Sequence, residues 1–185
     1  MDAKVIIDHL AKTLKSTCSV NAKAAVVALL KESDSGVQVL FVKRAENPND
    51  TWSGQTALPG GKRDSNDKDL QATAVRETLE ETGINLLDGC RFLGTMEPVR
   101  SIQKPDMKIL PFVILQEKEQ AINLNEELSE YFWMPIAELV HSKGNVKFNL
   151  KEYPAYLIEN KSIWGLTYNI VHNLLALLNV EPKEN

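Results

Sequence analysis

The chain has 185 residues and a mass of 20.7 kDa, a length that suits one domain able to bury a core without a disulfide or a structural metal. Hydrophobic residues make up 43% and charged residues 25%, which excludes a disordered, collagenous or coiled-coil chain. With 21 Lys and Arg against 25 Asp and Glu, the net charge of −4 provides no basic footprint for a long nucleic acid.

Two further features of the composition concern location and redox state. The longest apolar runs, at 24–30 and 109–115, fall far short of the roughly 20 residues of a membrane-spanning helix. The first residues lack the basic leader and long apolar run of a signal peptide, so we expect a cytoplasmic protein outside the membrane. Cys18 and Cys90 are too isolated for a disulfide scaffold or a zinc site, which favours reduced thiols.

The first third of the chain predicts one helix and two strands. Apolar residues at helical spacing indicate a short helix over 2–16. The runs 24–30 and 37–43 flank a Ser-Asp-Ser-Gly break, a pattern typical of two strands joined by a turn. Periodicity then lapses as far as a Pro-Gly-Gly sequence at 59–61, which predicts a long loop of the kind that is often functional.

Helical character returns over 67–82 and stops at Gly83, a residue suited to the left-handed cap. The remaining predicted elements are, in chain order, strands at 91–96 and 108–116, a short helix opened by Pro135 within a mixed stretch at 126–139, extended pieces at 146–150 and 155–159, and an apolar-striped helix at 166–178. Strands interleaved unevenly with helices favour an α+β or sandwich arrangement.

The chain shows no internal repeat, low-complexity segment or shift in composition that would divide it. We therefore expect one domain over 21–180. The N-terminal helix within 1–20 is expected to belong to the same unit, and 181–185 to form a tail.

Three acidic residues crowd one surface of the helix predicted over 67–82. Glu77 precedes Glu80 by three residues and Glu81 by four, so a helix brings the three carboxylates to neighbouring positions. Like charges at these spacings destabilise an isolated helix, and Arg76 is the nearest cation. A divalent cation would reverse that repulsion, since carboxylate oxygens are preferred ligands of Mg²⁺ and Mn²⁺. A solvated acidic face is the alternative interpretation.

Two glycines ahead of this helix favour the metal interpretation. A Pro-Gly-Gly turn ending in Gly60 and Gly61 lets backbone amides and carbonyls approach a metal or a phosphate without obstruction by side chains. The sequence thus combines a glycine bend with a set of acids, an arrangement suited to a metal or a phosphate.

The glycine bend and the run Arg-Glu-Thr-Leu-Glu-Glu-Thr-Gly-Ile at 76–84 resemble the Nudix box, G-x5-E-x7-R-E-U-x-E-E-x-G-U with U aliphatic. Thr78 replaces the first aliphatic residue of the consensus. Fourteen residues separate Gly61 from Arg76, one more than in the consensus, and the consensus glutamate falls on or beside Asp67.

The spacing of the first half resembles the Nudix subgroup that includes coenzyme A pyrophosphatases. Members carry G-G-x-x-D-x-x-D followed by T-A-x-R-E, which 60–77 matches with Asp64 and Asp67. The segments 127–135 and 163–167 are also similar to that subgroup, so the resemblance covers about 24–178. The approach at 52–61 lacks the His and Phe of those enzymes, which leaves the substrate open.

The Nudix resemblance implies an α/β/α sandwich around a mixed sheet. It also implies a hydrolase that binds Mg²⁺ or Mn²⁺ through Glu77, Glu80 and Glu81. The Gly60 carbonyl is implied as a further ligand, and Arg76 as the residue that orients Glu77 through a charge-assisted hydrogen bond. Many members of the family form dimers, so a homodimer is one expectation.

The identity of the general base stays open between Glu77 and Glu127, with Glu126 and Glu130 less favoured as neighbours of the latter. Trp52 on the predicted loop can stack on a nucleobase, whereas Trp133 and Trp164 are interpreted as core or hinge anchors. Three basic residues are interpreted as surface charges rather than phosphate ligands: Arg44, Lys62 and Arg63. The three histidines are scattered along the chain, and His172, in the terminal helix, favours a solvated or capped position over catalysis.

Three functions are compatible with this sequence. The first is hydrolysis of the diphosphate of coenzyme A or an acyl derivative. The second is the same reaction on ADP-ribose, NADH, a dinucleoside polyphosphate or a modified nucleotide. The third, from another class, is a nucleotide-binding module without turnover, although the intact set of acids favours an enzyme.

Overall fold

In a computed structural model, the structure describes residues 2–16, 21–49, 52–101 and 106–179. Cys18 and the predicted tail at 181–185 lie outside these ranges. The described helices are α1 (Ala3–Thr13), α2 (Leu70–Thr82), α3 (Ile136–His141) and α4 (Gly165–Leu177). The described strands are β1 (Ala24–Ser33), β2 (Gly36–Arg44), β3 (Thr56–Ala57), β4 (Gly60–Lys62), β5 (Cys90–Thr95), β6 (Val99–Arg100), β7 (Lys108–Gln116), β8 (Leu128–Pro135), β9 (Lys143–Phe148), β10 (Lys151–Ile158) and β11 (Lys161–Trp164).

The central sheet has eight strands with β1 in its middle. β1 pairs antiparallel with β2 and parallel with β7, in a register that aligns Ala24 with Ile109 and Lys31 with Gln116. β8 lies antiparallel beside β2, and β5 lies antiparallel beside β7. The sheet is therefore mixed, as the family resemblance implied.

Helices cover both faces of this sheet. Successive side chains of β1 point to opposite faces, so Val27 and Leu29 join one core cluster while Ala28 and Leu30 join the other. α2 packs on the Val27 face through Leu70 and Ala74, and apolar residues of α1, α3 and α4 pack on the opposite face. This arrangement confirms the predicted α/β/α sandwich. Among the described residues, no helix is long and apolar enough to span a membrane.

The sheet opens between β1 and β2 at one end. The two strands pair only where residues 30–33 meet 36–39, and beyond that point each has a different partner. β1 turns to β4, where Val26 faces Gly60, and β2 turns to β3, where Lys43 faces Thr56. The long loop predicted before the helix therefore contains two short strands, a correction that places the glycine bend inside the sheet opening.

The helix that carries the acids is shorter than predicted. Asp69 caps it by accepting the N–H of Ala72 at 2.8 Å, so α2 begins at Leu70 and Asp67 lies in the preceding turn. At the other end Gly83 has φ 75°, which confirms the predicted left-handed cap.

A second sheet, which the sequence showed only as extended pieces, is formed by the strands β9, β10 and β11 in antiparallel order. Its first hairpin turns at Asn149 and Leu150, both in the left-handed region. Pro135, predicted to open a helix, is instead the last residue of β8 and the N-cap of α3. This small sheet supplies a wall of the cavity described next.

Candidate active site

A cavity of about 790 Å³ lies at the opening of the central sheet. Its acidic part is lined by Glu77 and Glu81 from α2 and by Glu127 from the loop before β8. Its other wall carries the aromatic side chains Trp52, Phe148, Tyr153 and Trp164. The glycine bend lies between them, because Gly60 and Gly61 also line the cavity.

Glu81 is the most deeply buried of the three helix acids. Only 4% of the residue is exposed, and its Oε2 accepts the N–H of Gly60 at 2.8 Å. Burial raises the pKa of Glu81 to about 7; the Gly60 hydrogen bond and the charge of Arg44 oppose the shift, while the charges of Glu77 and Glu127 add to it. Glu81 is thus tied to the glycine bend and crowded by other acids.

Glu77 lies against the second glycine of the bend. A Cβ atom at position 61 would be 2.4 Å from Cδ of Glu77, so only glycine leaves room for this carboxylate. Arg76 Nη1 donates to Glu77 Oε1 at 2.9 Å, the contact that the resemblance implied. Burial raises the pKa of Glu77, and the Arg76 contact opposes that effect.

Glu80 occupies a different environment from its neighbours on the helix. Its side chain is 56% exposed, and Arg76 Nη1 donates to its Oε2 at 3.1 Å. It is not among the described residues that line the cavity. The three acids lie along one side of α2 as expected, but only Glu77 and Glu81 reach the cavity.

Asp67, at or beside the position of the consensus glutamate, holds Arg76 in place. The Nε and Nη2 atoms of Arg76 donate to the two oxygens of Asp67 at 3.0 and 2.9 Å. Asp67 is buried, also accepts the hydroxyl of Thr73 and the N–H of Asp64 at 2.9 Å each, and Arg76 holds its pKa well below the usual range. The aspartate at the place of the consensus glutamate therefore orients Arg76.

Comparison with known proteins agrees with this geometry. The NUDIX domain family matches residues 21–156. The chain belongs to the Nudix family. A mitochondrial coenzyme A diphosphatase of Homo sapiens is 29% identical over 85% of this chain and 70% of its own length. Nudix hydrolase 3 of Caenorhabditis elegans is 28% identical over 90% of this chain and 77% of its own length.

Other relatives and solved structures extend the comparison. An uncharacterized protein of Schizosaccharomyces pombe is 34% identical over 75% of this chain, which spans only 46% of that relative. The crystal structure of a Nudix hydrolase from M. smegmatis, RenU, superposes with a TM-score of 0.60 at 20% identity and covers 89% of both chains. That likeness shows the fold, and the named hydrolases support the predicted class of Nudix pyrophosphohydrolases.

Backbone hydrogen bonds join the loop that carries Glu127 to the C-terminal end of α2. The N–H of Asn125 donates to the carbonyl of Glu81 at 3.1 Å, and that of Asn123 donates to the carbonyl of Thr82 at 2.8 Å. The carbonyl of Glu127 in turn accepts the N–H of Ala45 at 2.8 Å. These bonds satisfy carbonyls at the helix end and hold Glu127 beside the other cavity acids.

Two other acids close to Glu127 in sequence are not among the described residues that line the cavity. Glu126 is exposed, and Glu130 Oε1 accepts from Lys161 Nζ at 3.0 Å. Of the basic residues interpreted as surface charges, Arg44 and Lys62 line the cavity. Arg63 instead donates to the carbonyls of Asp67 and Lys68 and fastens the turn before the helix.

Trp164, interpreted from the sequence as a core or hinge anchor, lies at the junction of β11 and α4 and also lines the cavity. Its ring lines the cavity, with Phe148 centred 5.0 Å away and Tyr153 centred 5.6 Å away. Periodicity could not reveal this, because the three rings lie on three strands that come together only when the small sheet forms. Trp133 packs against the core cluster beneath α2, while Trp52 lines the cavity as a stacking residue would.

The acids and the glycine bend are chemically suited to a divalent cation. Over 2–16, 21–49, 52–101 and 106–179, no three His, Cys, Asp or Glu side chains converge as a complete cation site. Mg²⁺ commonly takes one or two protein carboxylates, with substrate phosphates and water completing its shell. Glu77 and Glu81 meet that requirement; burial raises the pKa of each, and the charges of neighbouring carboxylates add to the shift.

Proposed function

We propose that this Nudix protein is a Mg²⁺- or Mn²⁺-dependent hydrolase of the diphosphate bond in nucleoside diphosphate derivatives. One observation carries the proposal. The buried side chain of Glu81 accepts a hydrogen bond from the N–H of Gly60 in the glycine bend, and it lines the cavity together with a second carboxylate, that of Glu77. A merely solvated acidic face would leave both side chains exposed and would not need a glycine at position 61.

Glu77, Glu81 and the carbonyl of Gly60 would hold the cation. Glu80, which the resemblance also implies, is a further ligand only if it leaves Arg76. A bound divalent ion supplies neutralisation of phosphate charge and acidification of water at neutral pH. Arg76 restrains Glu77, and Asp67 restrains Arg76, so the protein contributes a carboxylate that is already oriented.

The remaining steps fall to residues on the cavity wall. Glu127 is the proposed acceptor of the proton from the attacking water, because the bonds of its loop hold it beside Glu81 without a salt-bridge partner among the described contacts. Glu77 is the alternative base, but its ion pair with Arg76 favours a role as ligand. Arg44 and Lys62 are placed to bind phosphate oxygens.

Coenzyme A or an acyl derivative is the first substrate to test. The similarity to a human protein named as a coenzyme A diphosphatase supports this choice, as does an aromatic wall able to stack on a nucleobase. The approach at 52–61 favours a second candidate group, since it lacks the His and Phe of the coenzyme A subgroup. That group comprises ADP-ribose, NADH, dinucleoside polyphosphates and modified nucleotides.

A panel of these diphosphates, incubated with and without Mn²⁺ and Mg²⁺, tests the proposal. Release of 3′,5′-ADP and phosphopantetheine from coenzyme A is the expected result. Hydrolysis of ADP-ribose, NADH, a dinucleoside polyphosphate or a modified nucleotide, without hydrolysis of coenzyme A, would identify the second group as the substrates. No metal-dependent hydrolysis of any member, despite saturable nucleotide binding, would contradict the proposal and support a non-catalytic binding module.

The cytoplasmic location and the homodimer both stay predictions. Relatives include proteins named as mitochondrial or chloroplastic, so the family occurs in several compartments. Fractionation of cells and the mass of the protein in solution test the two predictions separately.

A further inference from the structure

Asn125 lies between two acids of the candidate active site. Its N–H donates to the carbonyl of Glu81 at 3.1 Å, and its side-chain Oδ1 accepts the N–H of Glu127 at 3.1 Å. Both acids line the cavity, whereas Asn125 is not among the described residues of that lining. One residue outside the cavity therefore joins the residue proposed to hold the cation to the residue proposed to accept the proton.

The side chain of Asn125 closes an Asx turn. An asparagine oxygen that accepts the N–H of the second residue after it restrains the backbone between them, as a backbone turn does. The carbonyl of Asn125 also accepts the N–H of Leu128 at 3.3 Å, and Leu128 is buried. The backbone of Glu127 is thus restrained on both sides, by the Asx turn before it and by the buried leucine after it.

A β-bulge follows this turn. In the pairing of β2 with β8 the register shifts between Lys43 and Arg44, so that Ser129 is the extra residue of β8. Bulges are common beside active sites, where they change the direction in which a side chain points. Past the bulge, the N–H of Ala45 donates to the carbonyl of Glu127 at 2.8 Å. The bulge and the Asx turn together fix the backbone from which the Glu127 side chain extends.

The Glu127 carboxylate depends on this support from the backbone. The residue is exposed, and among the described contacts no hydrogen bond or ion pair restrains its carboxylate. A long side chain that is not restrained at its end samples many rotamers, so its reach into the cavity depends on where its backbone is held. A displacement of about 1 Å at a reacting group can lower a rate about 100-fold.

We propose that Asn125 is a positioning residue for Glu127 in the hydrolysis reaction. Its side-chain oxygen keeps the turn closed, and the closed turn directs the Glu127 carboxylate to the water that it deprotonates. Removal of the oxygen leaves the Glu127 N–H without this bond and lets the carboxylate spread over more positions. This inference rests on the proposed function, in which Glu127 accepts the proton.

A graded series at position 125 tests the role of the acceptor oxygen. Asn125→Asp keeps the oxygen and the shape of the side chain, Asn125→Ser keeps a weaker acceptor, and Asn125→Ala removes it. We expect kcat to stay within about threefold of the wild type for Asp and to fall about tenfold for Ala, with Ser between them. KM should change little, because no contact with the substrate is lost. Equal kcat across the series would overturn the proposal, and Asp against Ser keeps the comparison if the alanine variant does not fold.

Asn123 provides a matched control in the same loop. Its side chain is exposed, and its bond to the carbonyl of Thr82 is made by its backbone N–H, so that bond does not require the side chain. Asn123→Ala is expected to stay within about twofold of the wild type in kcat. Circular dichroism and thermal unfolding check that both alanine variants are folded. An equal fall in kcat for the two variants would indicate general loosening of the loop and overturn the proposal.

A double-mutant cycle with Glu127 separates positioning from a merely structural role. If Asn125 acts through Glu127, Asn125→Ala should lower kcat no further once Glu127 has been replaced by glutamine. A structural role predicts instead that the same fall in kcat appears with and without Glu127→Gln. That second result would overturn the proposal.

Hydrogen exchange of the protein without metal or substrate separates this inference from the proposed function. The Glu127 amide is expected to exchange about tenfold faster in Asn125→Ala than in the wild type, the effect of losing one hydrogen bond, and at the wild-type rate in Asn123→Ala. Faster exchange without hydrolysis of any diphosphate would contradict the proposed function, while the ordering of Glu127 by Asn125 would stand. Unchanged exchange, with hydrolysis that Asn125→Ala leaves unchanged, overturns the inference and leaves the proposed function intact.

Discussion

The carboxylate of Glu77 packs directly against Gly61: a Cβ atom on the glycine would lie 2.4 Å from the carboxyl carbon of the glutamate. Gly61→Ala is expected to displace that carboxylate and lower kcat about 10- to 100-fold, the usual cost of disturbing the support of a metal site. The melting temperature should change little, because the clash is with the end of a flexible side chain. Turnover and thermal unfolding measured on one preparation check both effects.

Gly60→Ala provides the contrasting control for that substitution. Gly60 has φ 141°, and a Cβ atom there would lie 2.3 Å from the carbonyl oxygen of Ala25, which is backbone. We expect a loss of about 2 kcal/mol or more in the free energy of unfolding. Wild-type turnover in Gly61→Ala would contradict the placement of Glu77 against the bend.

Glu81→Gln is expected to lower kcat by about 100-fold or more. Loss of a direct metal ligand should reduce kcat at least as much as loss of a residue that only positions a ligand. The fold should persist, because the amide oxygen of glutamine can still accept the Gly60 N–H. Glu80→Gln is expected to lower kcat less than Glu81→Gln does, because the Glu80 side chain is exposed and forms an ion pair with Arg76. Steady-state kinetics over a range of Mg²⁺ concentrations measures both, and equal losses would show that Glu80 turns into the site.

Glu127 and Glu126 form a matched pair of adjacent exposed acids, of which only Glu127 is among the described residues that line the cavity. Because Glu127 is the proposed proton acceptor, Glu127→Gln is expected to lower kcat about 100-fold. Glu126→Gln is expected to stay within about twofold of the wild type. If the two variants retain the same turnover, Glu77 becomes the favoured base.

Asp67→Asn is expected to lower the free energy of unfolding by about 2–4 kcal/mol, because it breaks a buried ion pair from one side. The lower part of that range is expected, since Arg76 is partly exposed and keeps its contacts with Glu77 and Glu80. Urea unfolding near neutral pH measures the loss. A decrease of less than about 0.5 kcal/mol in the free energy of unfolding would mean that water solvates Arg76 well enough to replace its contact with Asp67.

Asp67 also predicts a pH dependence of stability. Its folded-state pKa is depressed by Arg76, so below the ordinary value of about 4 the unfolded chain binds a proton that the folded chain does not. The stabilisation is therefore complete above about pH 4 and declines as the pH falls. Asp67→Asn should show a shallower fall in melting temperature between about pH 4 and 2 than the wild type.

The family and the chemical centre were legible in the sequence because both depend on neighbours along one helix. Glu77, Glu80 and Glu81 share a helix side through spacing alone, and Gly83 ends that helix through its own conformational freedom. The glycine bend was legible for the same reason, since a backbone without Cβ atoms is a local property.

Only the tertiary structure separated the acids by environment. Glu81 became buried and Glu80 stayed exposed because β1 and the glycine bend pack over one part of α2, a contact between segments about twenty residues or more apart in the chain. Asp67 is similar: its turn was interpreted as helix, and its partnership with Arg76 depends on the fold around both.

Trp52 was the one member of the aromatic wall that the sequence indicated; the part supplied by the small sheet was not predictable from it. Phe148, Tyr153 and Trp164 lie on three different strands of the small sheet. Spacing along a chain reports which residues share a helix side or a strand face. Which faces meet is decided by the packing of whole elements, and here that packing places the aromatic rings of the small sheet in the same cavity as the acids.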